Sequence, residues 1–146
     1  TFDLDQITLA LIAAHDRGVL TELYFDQQQT LHGRTQNQVA KMDQMYERGL
    51  DIRLIGTSRT HMHSKLLIAD DLMLIGSANW TNASAENHET SVLIQPETAH
   101  RDRWLERFGE VRRESRRYTP QDSIEGRTHR LTTQNNVNRY MHTRHG

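Results

Sequence analysis

His63, Ser64 and Lys65 are followed by Asp70 and by the run Gly76-Ser77-Ala78-Asn79-Trp80. Residues of these types at this spacing can attack a phosphodiester. The apolar run that reaches Asp70-Asp71 predicts a strand over 62–69. Side chains two apart on a strand share a face, so His63 and Lys65 should project side by side. His63 would bring a nucleophilic nitrogen, and Lys65 a point charge for a non-bridging phosphate oxygen. Leu72 to Ile75 reads as a buried return strand that ends at Gly76. Ser77 and Asn79 then stand two apart, and both can donate hydrogen bonds to phosphate. One nucleophile, one cation and neutral donors around a single anion suit the charge that develops in phosphoryl transfer.

Taken singly, each of these residues has an ordinary reading. A lone His near a strand is usually packed or solvated, a lone Lys is a surface charge, and Gly-Ser-Ala-Asn is a turn. The combination carries the argument. His61 also precedes His63 by two, but no nearby Cys or carboxylate completes a metal ligand set.

The run from His63 to Trp80 resembles the HKD signature of the phospholipase D superfamily, and the likeness extends over roughly residues 4–118. Ala14-His15-Asp16-Arg17-Gly18-Val19 leads to Asp26 as in that family, and Thr81 leads to Asn87-His88-Glu89. The match is to single-motif members, the bacterial endonucleases and the mitochondrial cardiolipin hydrolase group. By that resemblance the fold is an α/β/α sandwich with a mixed sheet. His63 is the nucleophile that forms a phosphohistidine, Lys65 and Asn79 bind the phosphate, and Ser77 supports it. Glu89 contacts the catalytic imidazole, and Asp70 is the motif Asp, more often structural than catalytic in such members. No metal or cofactor is implied. The substrate class is a phosphodiester of phospholipid or nucleic acid. The partner is a second copy, in a homodimer whose two His63 residues share one active site. Glu89 also has an independent case, because a histidine nucleophile needs its second nitrogen held by an acceptor.

One departure from the family pattern concerns the turn. Asp70 and Gly76 are separated by Asp71 to Ile75, one residue fewer than usual. A one-residue slip turns a strand over. A shortened turn that absorbs the deletion is expected. The alternative is a misplaced Ser77/Asn79 pair, and with it a catalytically silent phosphate-binding or assembly module.

A chain of 146 residues supports one domain with a single core. Related proteins place a strand ahead of the first helix, so an N-terminally shortened domain over 1–118 is expected. The sequence shows no signal-like start and no bilayer-spanning apolar run, and it points to no compartment. There are no cysteines, which excludes disulfides and thiolate metal sites. Residues 1–100 carry a net charge of −6 and residues 101–146 one of +5, and every Lys or Arg in the second part is Arg. Arginine suits phosphate through its planar fork. Such a stretch could meet nucleic acid or an anionic membrane. Over 101–118 Arg and Glu alternate as on a solvated helix. Residues 119–146, with Arg127, Arg130, Arg139 and Arg144, read as a polar tail without order.

The remaining elements follow from periodicity and punctuation. Leu4 to Asp16 reads as a helix stopped by Gly18, and Val19 to Phe25 as a strand. Residues 27–37 read as a connector, or as a rim of the site contributing Arg34. Gln36 to Arg48 reads as a helix, Asp51 to Ile55 and Ser91 to Gln95 as strands, and Pro96 to Arg117 as a helix. The strand–helix alternation predicts a layered α/β domain with a mixed sheet.

Overall fold

The apolar spacing that begins at Leu4 forms helix α1, Asp5–Asp16, and β1 follows at Glu22–Asp26. The computed structural model describes residues 2–32 and 36–143, so Arg34 and Arg144 lie outside the described residues. Next come α2 (Gln27–His32), α3 (Gln36–Glu47) and β2 (Asp51–Ile55). The hairpin strands β3 (Leu66–Ala69) and β4 (Leu72–Gly76) are followed by a short 3₁₀ turn and β5 (Ser91–Ile94). Helix α4 (Thr98–Glu114), β6 (Arg116–Arg117) and α5 (Pro120–Thr143) complete the described chain. Gly18 ends α1 with a φ of 87°. There its N–H bonds His15 O at 2.8 Å and Val19 N–H bonds Ala14 O at 3.1 Å. Only glycine takes that left-handed position without steric cost.

β1 and β2 pair in parallel from Glu22↔Asp51 to Asp26↔Ile55, and β6 joins β2 antiparallel, giving the expected mixed sheet. β2 alternates strictly in burial. Its Ile52 and Leu54 enter a core with Phe2, Ile12, Phe25, Met42, Met45, Leu50 and Tyr118. Helices α1 and α3 supply that face. The opposite face carries Tyr24 and Arg53, and α4 covers it through Phe108, 5.7 Å from the Tyr24 ring, while Ser115 just beyond α4 bonds Arg53 at 3.2 Å. The result is an α/β/α arrangement. Tyr24 also donates to Glu22 at 2.7 Å, and Arg112 bonds both Glu22 and Asp51. Burial, reinforced by the Glu22 bond, pushes the Tyr24 hydroxyl up to about 12.

β3, β4 and β5 form a second, antiparallel sheet. A bridge between Phe2 and Trp80 joins it to the first unit, with Asp3 N–H bonded to Trp80 O at 2.8 Å. No helix among the described residues is long and apolar enough to cross a membrane.

The C-terminal stretch differs from the expectation of a disordered tail. Its helix α5 starts on Thr119-Pro120-Gln121-Asp122. Asp122 reaches back to accept the Thr119 N–H at 2.8 Å, as the acidic member of a capping box does. Arg116 grips the same carboxylate with two bonds, at 2.7 and 3.1 Å. Tyr118 is buried and donates to Asp43 at 2.5 Å, and Ser123 donates to the other Asp43 oxygen at 2.7 Å. Gly126 lets α5 approach α2, because a Cβ there would stand 3.3 Å from Leu31 O. The composition is polar, and what fastens the helix is a set of satisfied buried polar groups rather than apolar burial.

Burial would raise the Asp122 carboxyl, but the Arg116 bonds and the Thr119 N–H outweigh it and hold the group below its usual range. A depressed carboxylate contributes stability above its unfolded pKa and loses it as pH falls through the folded value. Asp122→Ala should therefore lower Tm at neutral pH by roughly 5 °C, for a loss of about 2 kcal/mol. The gap between variant and wild type should narrow as pH falls below about 4, where the unfolded chain's carboxyl takes up a proton while the folded one still resists it. Thermal melts at both pH values check this.

Candidate functional site

The segment that carries His63 and Lys65 is set by what precedes it. β2 ends at Ile55, and Gly56 takes a φ of 106°. A Cβ at Gly56 would stand 2.8 Å from Thr60 O and 3.3 Å from the Asp26 carboxylate. Thr57 N–H bonds Thr60 O at 2.9 Å, which closes a tight loop. Asp26, at the carboxyl end of β1, is buried. One of its oxygens caps α2 by accepting Gln29 N–H at 2.7 Å, and the other accepts Met62 N–H at 2.7 Å. Residues 61–65 thus leave the loop along a fixed path. They are not paired in a sheet, and the strand predicted from 62 begins at Leu66.

His63 and Lys65 nonetheless come together. Lys65 Nζ lies 3.0 Å from His63 Nδ1 and 3.3 Å from Nε2, and donates to the His63 carbonyl at 2.7 Å. An ammonium can only donate. In any bond between them the ring nitrogen is therefore the acceptor. Among the described residues Lys65 forms no ion pair with a carboxylate. An unneutralised cation beside an imidazole is a site for an anion.

Close packing between strands places the rest. Gly76 N–H bonds Lys65 O at 3.2 Å. A Cβ on Gly76 would lie 2.1 Å from Ser91 Oγ and 2.8 Å from Thr90 O, so only glycine allows β5 this near. Ser77 is then held by Thr90, with Ser77 N–H on Thr90 O at 3.0 Å and Thr90 N–H on Ser77 Oγ at 3.1 Å. A groove of about 360 Å³ is lined by His63, Lys65, Ser77 and Trp104. An adjoining groove of about 310 Å³ is lined by Lys65, Asn79 and Trp80. Lys65 and Gly76 border both.

Glu89 is placed differently from the expectation that it holds His63. Ser77 Oγ donates to it, and Asn87 Nδ2 donates to its other oxygen at 3.3 Å. Among the described residues it makes no hydrogen bond to His63. In this arrangement it fixes Ser77, which lines the groove with His63. Asp70 stands at the tip of the β3–β4 hairpin, exposed, with a φ of 55°. Two-residue hairpin loops demand positive φ at their first position, and Asp tolerates it better than most residues. The structure does not bring Asp70 to the groove. The hairpin loop is two residues, Asp70 and Asp71, and the register runs from Ala69↔Leu72 to Leu66↔Ile75. Among the described residues no three His, Cys, Asp or Glu side chains converge on a metal-sized site.

Trp104 and the bonding role of Asp26 were not legible in the sequence. Trp104 reaches the groove from α4, far along the chain, and no local pattern marks it. Asp26 stood out only as the residue closing its strand.

Comparisons with known proteins agree with this geometry. The family model described as cardiolipin synthase, phospholipase D-like domain, matches residues 1–110. Mitochondrial cardiolipin hydrolase of Danio rerio is 27% identical over 99 residues, covering 66% of this chain and 41% of that protein. The protein of the same name from Chlamydomonas reinhardtii is 31% identical over 99 residues, covering 66% of this chain and 42% of its own. The chain thus spans about two-fifths of the length of these curated relatives. Among solved structures, Nuc from Salmonella typhimurium, a phospholipase D family member, superposes with a TM-score of 0.72 at 28% identity, covering 81% of this chain and 76% of Nuc.

Asp70→Gly should keep the hairpin and match or slightly exceed wild-type stability, because glycine removes the cost of positive φ. Gly76→Ala should shift β5 and loosen Ser77, lowering Tm by several degrees through a clash worth about 1–3 kcal/mol. Melting curves of the two variants, read side by side, check both assignments.

Proposed function

This chain belongs to the phospholipase D-like family, and from that premise we propose that it is a phosphodiester hydrolase acting through a covalent phosphohistidine on His63. The observation that carries the reading is the Lys65 ammonium against the His63 ring, without a carboxylate to neutralise it. The phosphate would enter the groove with a non-bridging oxygen on Lys65. Asn79 would donate to another oxygen from the adjoining groove, and Ser77 would do so on turning its one hydroxyl proton from Glu89 to the phosphate. His63 would attack phosphorus, and the growing equatorial charge would meet donors already in place. Glu89 would act at second hand, by aligning Ser77.

Lys65 supplies the positive charge that a metal ion supplies in other phosphodiesterases. Turnover is accordingly expected to persist in EDTA. The substrate would be a phospholipid or a nucleic acid, and the named cardiolipin hydrolase relatives make cardiolipin vesicles the first of the panel, with single-stranded DNA and RNA beside them. The Arg-rich 101–146 stretch would favour any of these polyanions. Attack by His63 leaves one further need, a proton for the departing oxygen. The family resemblance supplies it from His63 of a second copy in a two-fold dimer.

His63→Asn should reduce turnover on the cleaved member of the panel at least about thousandfold, because the covalent step loses its nucleophile. Lys65→Ala should cost about 2.7–4 kcal/mol of transition-state stabilisation, the size of one preorganised donor, with little change in Tm. Near-wild-type turnover in His63→Asn would refute the mechanism. Tight binding of every panel member with cleavage of none would point to a phosphate-binding module.

A further inference from the structure

The groove that holds His63 and Lys65 has a second, apolar side. Trp104 lines it from α4, together with Leu66 and Ile75. Leu66 stands opposite Ile75 in the β3–β4 register, and Ile75 stands opposite Val92 of β5. Directly paired residues of antiparallel strands present their side chains on one face. Two residues farther along, a step of about 7 Å, the same face carries Ile68, Met73 and Ile94, again in register. Six apolar side chains therefore run from the groove along one face of the second sheet.

Such a face is ordinarily covered. Here Met73 is buried, but Ile75, Val92 and Ile94 are between 37% and 53% exposed, and Trp104 is 40% exposed. The strip starts where Lys65 stands, so one occupant must present an anion to the ammonium and apolar matter to the strip. A phosphodiester that carries a long hydrocarbon chain does both. A nucleic-acid strand on the same path would need a cation for each further phosphate and polar groups for its base edges. The six positions supply neither. At the far end Gln95 donates to Asp71, a carboxylate that would repel a second phosphate. Trp104 suits the junction between the two halves, because its ring joins an apolar body to one N–H donor.

We propose that Trp104 is a specificity-determining residue, and that the strip from Leu66 and Ile75 to Ile94 seats the acyl portion of a phospholipid whose phosphate lies on Lys65. The proposal rests on the phosphodiesterase reading and deepens it by naming the substrate class. The chain on the strip belongs to the group that stays on phosphorus while the other alcohol leaves. Burial of that chain is the same before and during the attack by His63. Its contribution therefore falls mainly on KM rather than on kcat.

Esters with a common leaving group isolate this contact. Wild type, Trp104→Ala and Val92→Ser are assayed on the methyl, octyl and thymidine-5′ esters of 4-nitrophenyl phosphate, with the octyl ester kept below the concentration at which it aggregates. In wild type, kcat/KM for the octyl ester should exceed that for the methyl ester at least about tenfold, the gain from burying a few methylenes. It should also exceed that for the thymidine ester. The octyl-to-methyl ratio should fall toward unity in Trp104→Ala and part of the way in Val92→Ser, in both through KM. The ratio is read within one protein, so a change in the amount of folded enzyme cancels, and circular dichroism confirms each fold. A wild-type ratio near unity, or an unchanged ratio in both folded variants, would overturn the proposal and leave the phosphodiesterase reading standing. A preference for the thymidine ester that Trp104→Ala abolishes would also overturn it, since Trp104 would then stack a base. Cleavage of none of the esters by wild type would overturn the phosphodiesterase reading and this proposal with it.

Discussion

A buried carboxylate must fill its acceptor sites or carry a heavy desolvation cost. Asp26 fills its sites from two directions. Gln29 N–H comes from the first turn of α2 and Met62 N–H from the segment leading to His63, while the His61 ring stands nearby, its Nδ1 3.4 Å from Oδ2. Satisfying this single group ends β1, starts α2 and fixes where residues 61–65 leave the sheet. Gly56 belongs to the same constraint, since a side chain there would press on the Thr60 carbonyl and the Asp26 carboxylate. The path of residues 61–65 is thereby held without a strand ladder.

From that anchor the site is assembled by proximity rather than by sequence nearness alone. Among the described residues Lys65 has no carboxylate partner, and the His63 ring lies against it. Gly76 allows β5 to come close enough for Thr90 to hold Ser77, and Ser77 in turn engages Glu89. Lys65 and Gly76 border both grooves, with Ser77 lining one and Asn79 the other. Trp104 lends an apolar wall from α4. The second sheet that carries these groups meets the first through the Phe2–Trp80 bridge.

Where local chemistry sets structure, the sequence was legible. The alternation of Asp51 to Ile55, the glycine stops after α1 and α3, and the grouping of His63, Lys65, Ser77 and Asn79 all reflect periodicity or spacing that neighbouring residues impose. What was hidden depends on tertiary partners. The strand start moved from 62 to Leu66 because a side-chain acceptor on Asp26, not a neighbouring strand, takes the Met62 N–H. Glu89 turned to Ser77 because β5 brings Thr90 alongside that serine. Helix α5 starts on Thr119-Pro120-Gln121-Asp122, a capping signal that the reading of 119–146 as a tail without order passed over. Its anchoring by Arg116 and Asp43 could not be read along the chain.

The account stands on His63 forming a bond to phosphorus. The most direct test traps that bond. Protein is mixed with its cleaved phosphodiester, quenched under alkaline denaturing conditions that preserve phosphohistidine, and digested for peptide mass analysis. The account predicts a phosphoryl adduct on the peptide containing His63 and none in His63→Asn. Sustained turnover with His63 unmodified, or an adduct on another residue that persists in His63→Asn, would contradict it.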